Sequence, residues 1–476
     1  MLRSGLFQNL IAIAVFASVF AAAATAQSSG PKDLTEKISE SRSFAEIEQN
    51  VERIQTGGIR YALLHRKNAG SAVFVRIEFR FGSEGSLMDR DVAADFAGQL
   101  LMRSGTKDRA KEHLTKRFSE LGADVNISGD VFSCWANIKT PAANLAEVLK
   151  IVGEILRRPR YEKIEFDELK RETLKVVGNF KSSPQAIAAR ELGIYLNSEP
   201  VGHPNYSGSI DESLAKIGSA AFEEAIGFHR DFYGASDGFI SFVGEFEKTE
   251  ALKAAEEAFG GFKSPQFFDR VRTKYSKKPG IDKTIDVPAD GPAHFVARLN
   301  LPVSEDHADY PALFLGTYIL GNPGFADSRF SKRASSGREN IKLMSIFYAN
   351  PLDDFGGFIV FGDFPPEDLE KTEAIFEDEL GNFLDHGPNE EEISAAKNHW
   401  LITRENLRTD NKRLAGHLNS GLYLKRTLEW DDKLQHKIAS LTPSEIKAAI
   451  KKHIIPNDIA IIKAGNFSGS GAKVKK

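Results

Sequence analysis

The chain has 476 residues, 41% of them hydrophobic and 27% charged, with a formal net charge of −4 and one cysteine. These values are typical of folded soluble proteins and exclude disordered, collagen-like and disulfide-rich classes. The small net charge offers no general attraction to nucleic acid or to acidic membranes. The single thiol, Cys134, lies in an alternating run that predicts a half-buried strand.

A secretory signal peptide is predicted at residues 1–26. Arg3 is the only charged residue there, and an apolar stretch leads into a run of small residues that ends at Ala26. A mitochondrial presequence would contain more arginine, and a membrane anchor would need a longer apolar run. We therefore expect a periplasmic or secreted protein with no membrane anchor.

The mature chain is predicted to contain two similar halves. Residues 27–48 are predicted as an N-terminal extension, 49–263 as a first domain and 293–467 as a second. Between the domains, residues 264–292 contain four prolines and show no helical periodicity, which predicts a linker. The tail at 468–476 consists mostly of Gly, Ser and Lys and is predicted to be flexible.

Each half contains the pattern of an α+β unit. Strands are predicted at 61–65, 72–80, 125–127, 132–139, 294–301 and 356–362. The apolar face formed by Leu145, Val148 and Leu149 recurs at a constant offset in the second half, beginning at Thr372. The halves also end alike, with a strand and a glycine after Asp237 and after Asp458. This internal repeat predicts two related domains.

Local catalytic motifs are absent from the sequence. No two histidines stand one helical turn apart, as a helical zinc site requires, and no G-x-S-x-G elbow occurs. Cys134 has no context that resembles a cysteine protease, and Gly321 and Gly324 belong to a turn rather than a phosphate loop. The spacing does not exclude a zinc site assembled from distant histidines and carboxylates.

Several phrases, in order along nearly the whole mature chain, resemble the pitrilysin/insulinase family of zinc peptidases, which includes mitochondrial processing peptidase. They are FRFGSE at 79–84, LLMRSGT at 100–106, LGADVNIS at 121–128, FDELKR at 166–171, FHRDFY at 228–233, HADYPAL at 307–313, NPLDD at 350–354 and LTP at 441–443. The resemblance implies two homologous domains, each a mostly antiparallel sheet packed with helices, joined by the linker.

The resemblance also implies that the zinc site is lost. Active relatives carry H-x-x-E-H shortly before a Gly-Thr pair, and its chemically active positions fall here on Phe96, Gln99 and Leu100. None offers a zinc ligand or a carboxylate that could activate water. The family's third ligand, a Glu, should fall at Val177 or Val176, although a slip of one helical turn would bring Glu172 there. We expect no zinc in this chain, and a packed apolar core around Phe96.

Active relatives use an Arg and a Tyr of the second domain to hold the peptide. The resemblance places the Arg at Arg329, with a surface or interdomain ion pair as the alternative interpretation. The Tyr position falls at Lys342, and Tyr348 lies six residues later. Arg329 and Lys342 are therefore the predicted substrate-binding residues.

The sequence thus favours a non-catalytic subunit of a secreted zinc metallopeptidase, inactive alone, that closes the peptide chamber of a zinc-bearing partner in a heterodimer. Two alternatives remain. The chain could be a stand-alone peptide-binding or scaffold protein, or a peptidase with an unorthodox metal site. The expected partners are the zinc-bearing subunit and a peptide, without nucleic acid, and zinc is expected only in the partner.

Overall fold

The computed structural model describes residues 43–67, 71–336 and 340–470. The predicted signal peptide, most of the N-terminal extension and residues 471–476 lie outside this part of the chain. The described elements of the first half are α1 (Phe44–Glu48), β1 (Val51–Thr56), β2 (Ile59–His65), β3 (Ala72–Arg80), α2 (Asp91–Leu100), α3 (Lys111–Glu120), β4 (Asp124–Gly129), β5 (Ser133–Pro141), α4 (Leu145–Arg157), α5 (Lys163–Asn179), α6 (Pro184–Leu196), α7 (Ile210–Ser219), α8 (Phe222–Phe232), β6 (Asp237–Gly244) and α9 (Lys248–Phe259).

The second half repeats this arrangement with fewer elements. They are β7 (Ile281–Asp286), β8 (Ala293–Leu301), α10 (Tyr310–Gly321), α11 (Arg329–Ser336), β9 (Lys342–Ala349), β10 (Gly356–Phe364), α12 (Leu369–His386), α13 (Glu390–Thr409), α14 (Asn411–Leu424), α15 (Leu428–Ser440), α16 (Pro443–His453), β11 (Ala460–Gly465) and α17 (Phe467–Ser470). The predicted helical repeat corresponds to α4 and α5 in the first half and to α12 and α13 in the second.

The first half contains a six-stranded sheet with the order β1-β2-β6-β3-β5-β4. All its pairings are antiparallel except that of β2 with β6. Alternating apolar residues give these strands a buried face, as along β3, where Val73, Val75 and Ile77 are buried. The predicted strands at 61–65, 72–80, 125–127 and 132–139 are therefore present, and β1 is an additional edge strand.

The second half contains a five-stranded sheet with the order β7-β11-β8-β10-β9, in which only β7 and β11 pair in parallel. Strand β7 corrects the predicted linker, because residues 281–286 of that segment belong to the sheet. Strand β7 was not predicted from the sequence, because it is a short edge strand whose residues are exposed or half-buried and show no buried apolar pattern. Both mixed sheets pack against helices, and the predicted α+β class with two mostly antiparallel sheets is confirmed.

Each sheet is also covered by a helix from the other half of the chain. Helix α14 packs Leu414 and Leu418 against Ala62 and Phe239 of the first sheet. Helix α6 contacts β8 and β11 of the second sheet, where Ala188 and Leu192 enter one apolar cluster with strand residues. The two sequence halves therefore each contribute a helix to the sheet of the other half, across the predicted domain boundaries.

The start of the described chain is also part of the core. Phe44 and Ile47 of α1 are buried in the cluster that contains Leu414 and Leu418. Ser43 and Glu46 form a capping box that begins this helix. Residues 43–48 of the predicted N-terminal extension are thus structural. None of the described helices is long and apolar enough to cross a bilayer.

Candidate functional site

Helix α2 carries the three positions at which the sequence resemblance placed the lost zinc motif. Phe96 and Leu100 are fully buried, whereas Gln99 is half-buried. The Phe96 ring lies 4.9 Å from the Phe166 ring of α5, measured between centroids. A Cβ atom on Gly98 would lie 2.3 Å from the carbonyl oxygen of Gly129, so α2 packs directly on the end of β4. The expected apolar core around Phe96 is present.

Zinc does not fit these residues. Phenylalanine and leucine side chains have no lone pair for a metal, and the amide of Gln99 cannot act as the carboxylate base that activates water. Phe96 and Leu100 belong to one cluster of buried apolar side chains, which also contains Phe166 and Leu169. The residues at the positions that the resemblance assigns to the H-x-x-E-H motif therefore lack the chemistry of a zinc site.

The residues at which the resemblance placed the third ligand lie on helix α5. Val177 is fully buried and Val176 is 51% exposed. Val177 lies about 16 Å along the helix axis from Phe166, the residue that contacts Phe96. Glu172 instead accepts a hydrogen bond from Arg103 Nη2 at 2.7 Å, as a partly exposed ion pair. Neither Val177 nor Glu172 supplies a ligand beside Phe96.

A buried polar group lies next to this core, and the sequence analysis did not single it out. The Tyr161 hydroxyl donates to the Ala97 carbonyl at 3.2 Å. Within the described chain the Tyr233 hydroxyl has no hydrogen-bond partner. Burial, and then the proximity of Cys134, raise the pKa of Tyr233 well above its ordinary value. Burial also raises the pKa of the Cys134 thiol, so this thiol is a core group rather than a nucleophile.

Arg329 is held within the second half of the chain. Its Nε and Nη2 donate to the two carboxylate oxygens of Glu392 at 2.7 and 2.9 Å, and Nη2 also donates to the Gly387 carbonyl at 2.8 Å. The guanidinium carbon lies 4.7 Å from the centre of the Phe383 ring. The Arg329–Glu392 pair is largely buried and lies within the second half of the chain, so it differs from the surface or interdomain ion pair of the alternative interpretation. The role of Arg329 in peptide binding stays a prediction.

Lys342 and Tyr348 lie at opposite ends of β9. Lys342 is exposed at the first position of this edge strand. Tyr348 accepts a hydrogen bond from Arg298, and burial raises the pKa of its hydroxyl. Tyr348 is therefore occupied within the sheet and does not take the place of the family's Tyr, whereas the ammonium group of Lys342 is available at the surface.

One group of possible metal ligands occurs in the described ranges, at His307, Asp309 and His453. His307 Nδ1 accepts the backbone N–H of Asp309 at 3.0 Å, which places the proton of the neutral imidazole on Nε2. Asp309 Oδ2 already receives His453 Nε2 at 2.8 Å and Lys452 Nζ at 2.7 Å. Burial alone would raise the pKa of the Asp309 carboxyl group. The hydrogen bonds and charges of Lys452 and His453 have the larger effect and hold this pKa below its ordinary value. The group is an ion-paired cluster and a poor cation site.

Comparison with solved structures gives the fold a context. The peptidase M16 inactive domain from Pseudomonas fluorescens has a TM-score of 0.75 at 20% identity, with 90% of this chain and 99% of that chain covered. A protease from Helicobacter pylori has a TM-score of 0.71 at 16% identity, with 87% and 99% covered. No curated protein matches the chain. At these identities the structural similarity establishes the fold.

The family itself is indicated by sequence. The family model described as Peptidase M16 inactive domain matches residues 220–399. This part of the chain is similar to a peptidase M16 inactive domain. The resemblance to the pitrilysin/insulinase family is thereby confirmed. The M16 match begins beside α8 and ends within α13, so it includes Arg329 and Lys342 and leaves Phe96 outside.

The periplasmic protease PqqL from Escherichia coli is a longer protein with a similar fold. Its structure has a TM-score of 0.69 at 15% identity and covers 90% of this chain, but only 49% of PqqL is covered. A separate structure of the first half of PqqL is covered to 94%. One chain of the present length thus corresponds in fold to half of PqqL.

Proposed function

We propose that this M16 chain is a non-catalytic subunit of an exported zinc peptidase. In this proposal it closes the peptide chamber and assists substrate binding for a zinc-bearing partner of the same family. The observation that carries the proposal is the burial of Phe96 and Leu100 in apolar core, at the part of α2 to which the sequence resemblance assigns the zinc motif.

The physical argument concerns the nucleophile. A zinc peptidase needs a metal-bound water with a lowered pKa and a carboxylate that accepts its proton. Gln99 can hydrogen-bond a water but cannot take up a proton at neutral pH. Cleavage of a peptide bond therefore requires a second chain with an intact H-x-x-E-H motif. The relation to PqqL supports this arrangement, because that longer protease spans about two units of this size.

Substrate assistance would come from the chamber wall rather than from a transition-state contact by Arg329, whose donors are already bound to Glu392 and Gly387. Lys342, exposed on the edge strand β9, is the remaining predicted contact for peptide. An ammonium group there can attract acidic or carbonyl-rich segments, although it lacks the ring of the Tyr in active relatives.

Co-expression with an H-x-x-E-H relative from the same source tests the proposal. We expect the two chains to elute as one complex in size-exclusion chromatography with light scattering, with an interface larger than about 2,000 Å². Peptide cleavage should require both chains and should vanish when the motif Glu of the partner is replaced by Gln. Gln99→Glu in the present chain is the matched control and should leave cleavage unchanged.

Separate elution, together with equal cleavage by the partner alone, would contradict the subunit proposal and favour a stand-alone peptide-binding protein. The metal content gives an independent check. After dialysis against a mild chelator, elemental analysis of the isolated chain should find less than about 0.1 zinc per chain. One tightly bound zinc per chain would favour a peptidase with an unorthodox metal site.

A further inference from the structure

A small cleft lies where four parts of the chain meet. The C-terminal ends of α6, β8 and α16 converge with the segment before β7 around a volume of about 210 Å³. The Tyr195 hydroxyl donates to the Pro279 carbonyl at 2.8 Å and fixes the segment before β7 against α6. The space corresponds to about seven water molecules, so it can take the end of a chain but not a folded segment.

The charge of the cleft is positive. Its lining includes the ammonium groups of Lys277, Lys278 and Lys452, against one carboxylate, Asp458. Lys277 pairs with Asp458 at 2.8 Å, and Lys452 pairs with Asp309 at 2.7 Å. Among the residues that the structure describes, Lys278 has no ion-pair partner. An uncompensated ammonium group beside a small cavity favours an anionic ligand.

A buried amide provides a directed donor in the same cleft. Asn300 lines the cleft and is only 9% exposed. Its Oδ1 accepts the Nε–H of Arg298 at 2.8 Å, which fixes the orientation of the amide. Within the described ranges its Nδ2 group has no hydrogen-bond acceptor. Asn300 and Lys278 thus offer donors of two kinds, one fixed in direction and one charged.

The remaining wall is apolar. Leu196, Tyr275 and Ile455 line the cleft, and Tyr275 and Ile455 remain 36% and 42% exposed. Partly exposed apolar side chains next to convergent polar donors are typical of a site that takes a ligand with one apolar and one polar end.

We propose that this cleft binds the C-terminal carboxylate of a peptide whose last residue is apolar. Lys278 and the Asn300 amide receive the carboxylate, and Leu196, Tyr275 and Ile455 contact the last side chain. The site is built entirely from this chain, so the inference stands apart from the proposed partner subunit and holds or fails without it.

Calorimetric titration of the isolated full-length mature chain tests the proposal. The probe is acetyl-alanyl-alanyl-leucine with a free carboxylate, and its C-terminal amide is the matched control ligand. We expect the acid to bind at least about tenfold more tightly than the amide, because only the acid forms charge-assisted hydrogen bonds. Lys278→Glu should weaken binding of the acid by about tenfold or more, and Lys274→Glu, in the same segment but outside the cleft, should not.

Sodium acetate and inorganic phosphate distinguish a peptide end from a free anion. Weaker binding of both ions than of the tripeptide acid supports the peptide site. Equal affinity of acetate and the tripeptide acid would overturn the apolar part of the proposal. Equal binding of acid and amide, or no binding of the acid at about 5 mM, would overturn the proposal as a whole.

Discussion

Phe96 determines what helix α2 can do. Its ring is fully buried and packs on Phe166, at a position that the sequence resemblance assigns to a zinc ligand of active pitrilysin relatives. The side chain contributes apolar packing to the first core. Its replacement should therefore change the free energy of unfolding.

Phe96→Ala should lower the free energy of unfolding by about 3–5 kcal/mol, because it leaves a cavity between α2 and α5. Urea unfolding followed by tryptophan fluorescence measures the change. The half-buried neighbour Gln99 provides the control, and Gln99→Ala should cost less than about 1 kcal/mol. A loss at Phe96 no larger than the loss at Gln99 would show that α2 does not pack as described.

Arg329 and Glu392 form a pair whose contribution depends on pH. Burial raises the pKa of Glu392, but the hydrogen bonds from Arg329 and from the Asn389 N–H outweigh it and lower the pKa below the ordinary value of 4.5. A carboxyl group with a lowered pKa in the folded state stabilises the fold above its unfolded pKa, and loses this contribution as the pH falls through the folded pKa.

Arg329→Ala should therefore lower the free energy of unfolding at pH 7 by about 1–3 kcal/mol, through loss of a largely buried pair. The difference from the unchanged protein should shrink as the pH falls below the ordinary Glu pKa of 4.5 and through the lower pKa of the folded Glu392 carboxyl group. Denaturant unfolding at several pH values is the measurement, with the exposed Lys332→Ala as control. An unchanged stability of Arg329→Ala would return Arg329 to the predicted role in peptide binding.

At the scale of elements, helices α6 and α14 each cover the sheet of the opposite half of the chain. Helix α14 is anchored on the first sheet by Asn419, whose Nδ2 donates to the carbonyls of Arg76 at 3.0 Å and Phe239 at 2.8 Å. The Ser241 hydroxyl donates in return to the Ala415 carbonyl at 2.6 Å. These polar contacts lie within an apolar cluster, where hydrogen bonds fix the register of the helix on the strands.

Asn419→Ala should destabilise the protein by about 1–3 kcal/mol, because it removes a donor shared by two strand carbonyls in a buried interface. Thermal or urea unfolding checks the value. Lys412→Ala lies on the exposed side of the same helix and should change the stability by less than about 0.5 kcal/mol. Equal effects of the two substitutions would mean that α14 does not depend on its contact with the first sheet.

In the whole molecule, α6 of the first half covers the second sheet and α14 of the second half covers the first sheet, so the core of each half includes residues of the other. Neither sheet can bury both of its faces without a helix from the opposite half. We therefore expect the predicted domains at 49–263 and 293–467 to depend on each other for stability.

The two halves should consequently unfold in one cooperative transition. Trp135 reports on the first sheet and Trp400 on the second core. Variants that keep only Trp135 or only Trp400, with the other two of the three tryptophans replaced by Phe, should show coincident urea midpoints. Two separate midpoints, with one half folded while the other has unfolded, would contradict the mutual dependence.

Most elements were predictable because their signals are local. The β3 pattern and the apolar faces of α4 and α12 are periodicities within single segments, and they survive without tertiary information. Strand β7 was missed because its pairing with β11 involves a distant segment and leaves no alternating apolar pattern. Helix α1, within the predicted N-terminal extension, was missed for a related reason, because its burial depends on the distant helix α14.

The sequence by itself determined the α+β class, the internal repeat and the lack of zinc ligands at Phe96 and Leu100, since residue types and short-range order carry this information. Only the tertiary structure decided which helix covers which sheet, that Arg329 pairs with Glu392, and that Lys278 and Asn300 meet at one cleft. Contacts between residues far apart in the chain are selected by the packing of the whole molecule, and no local pattern records them.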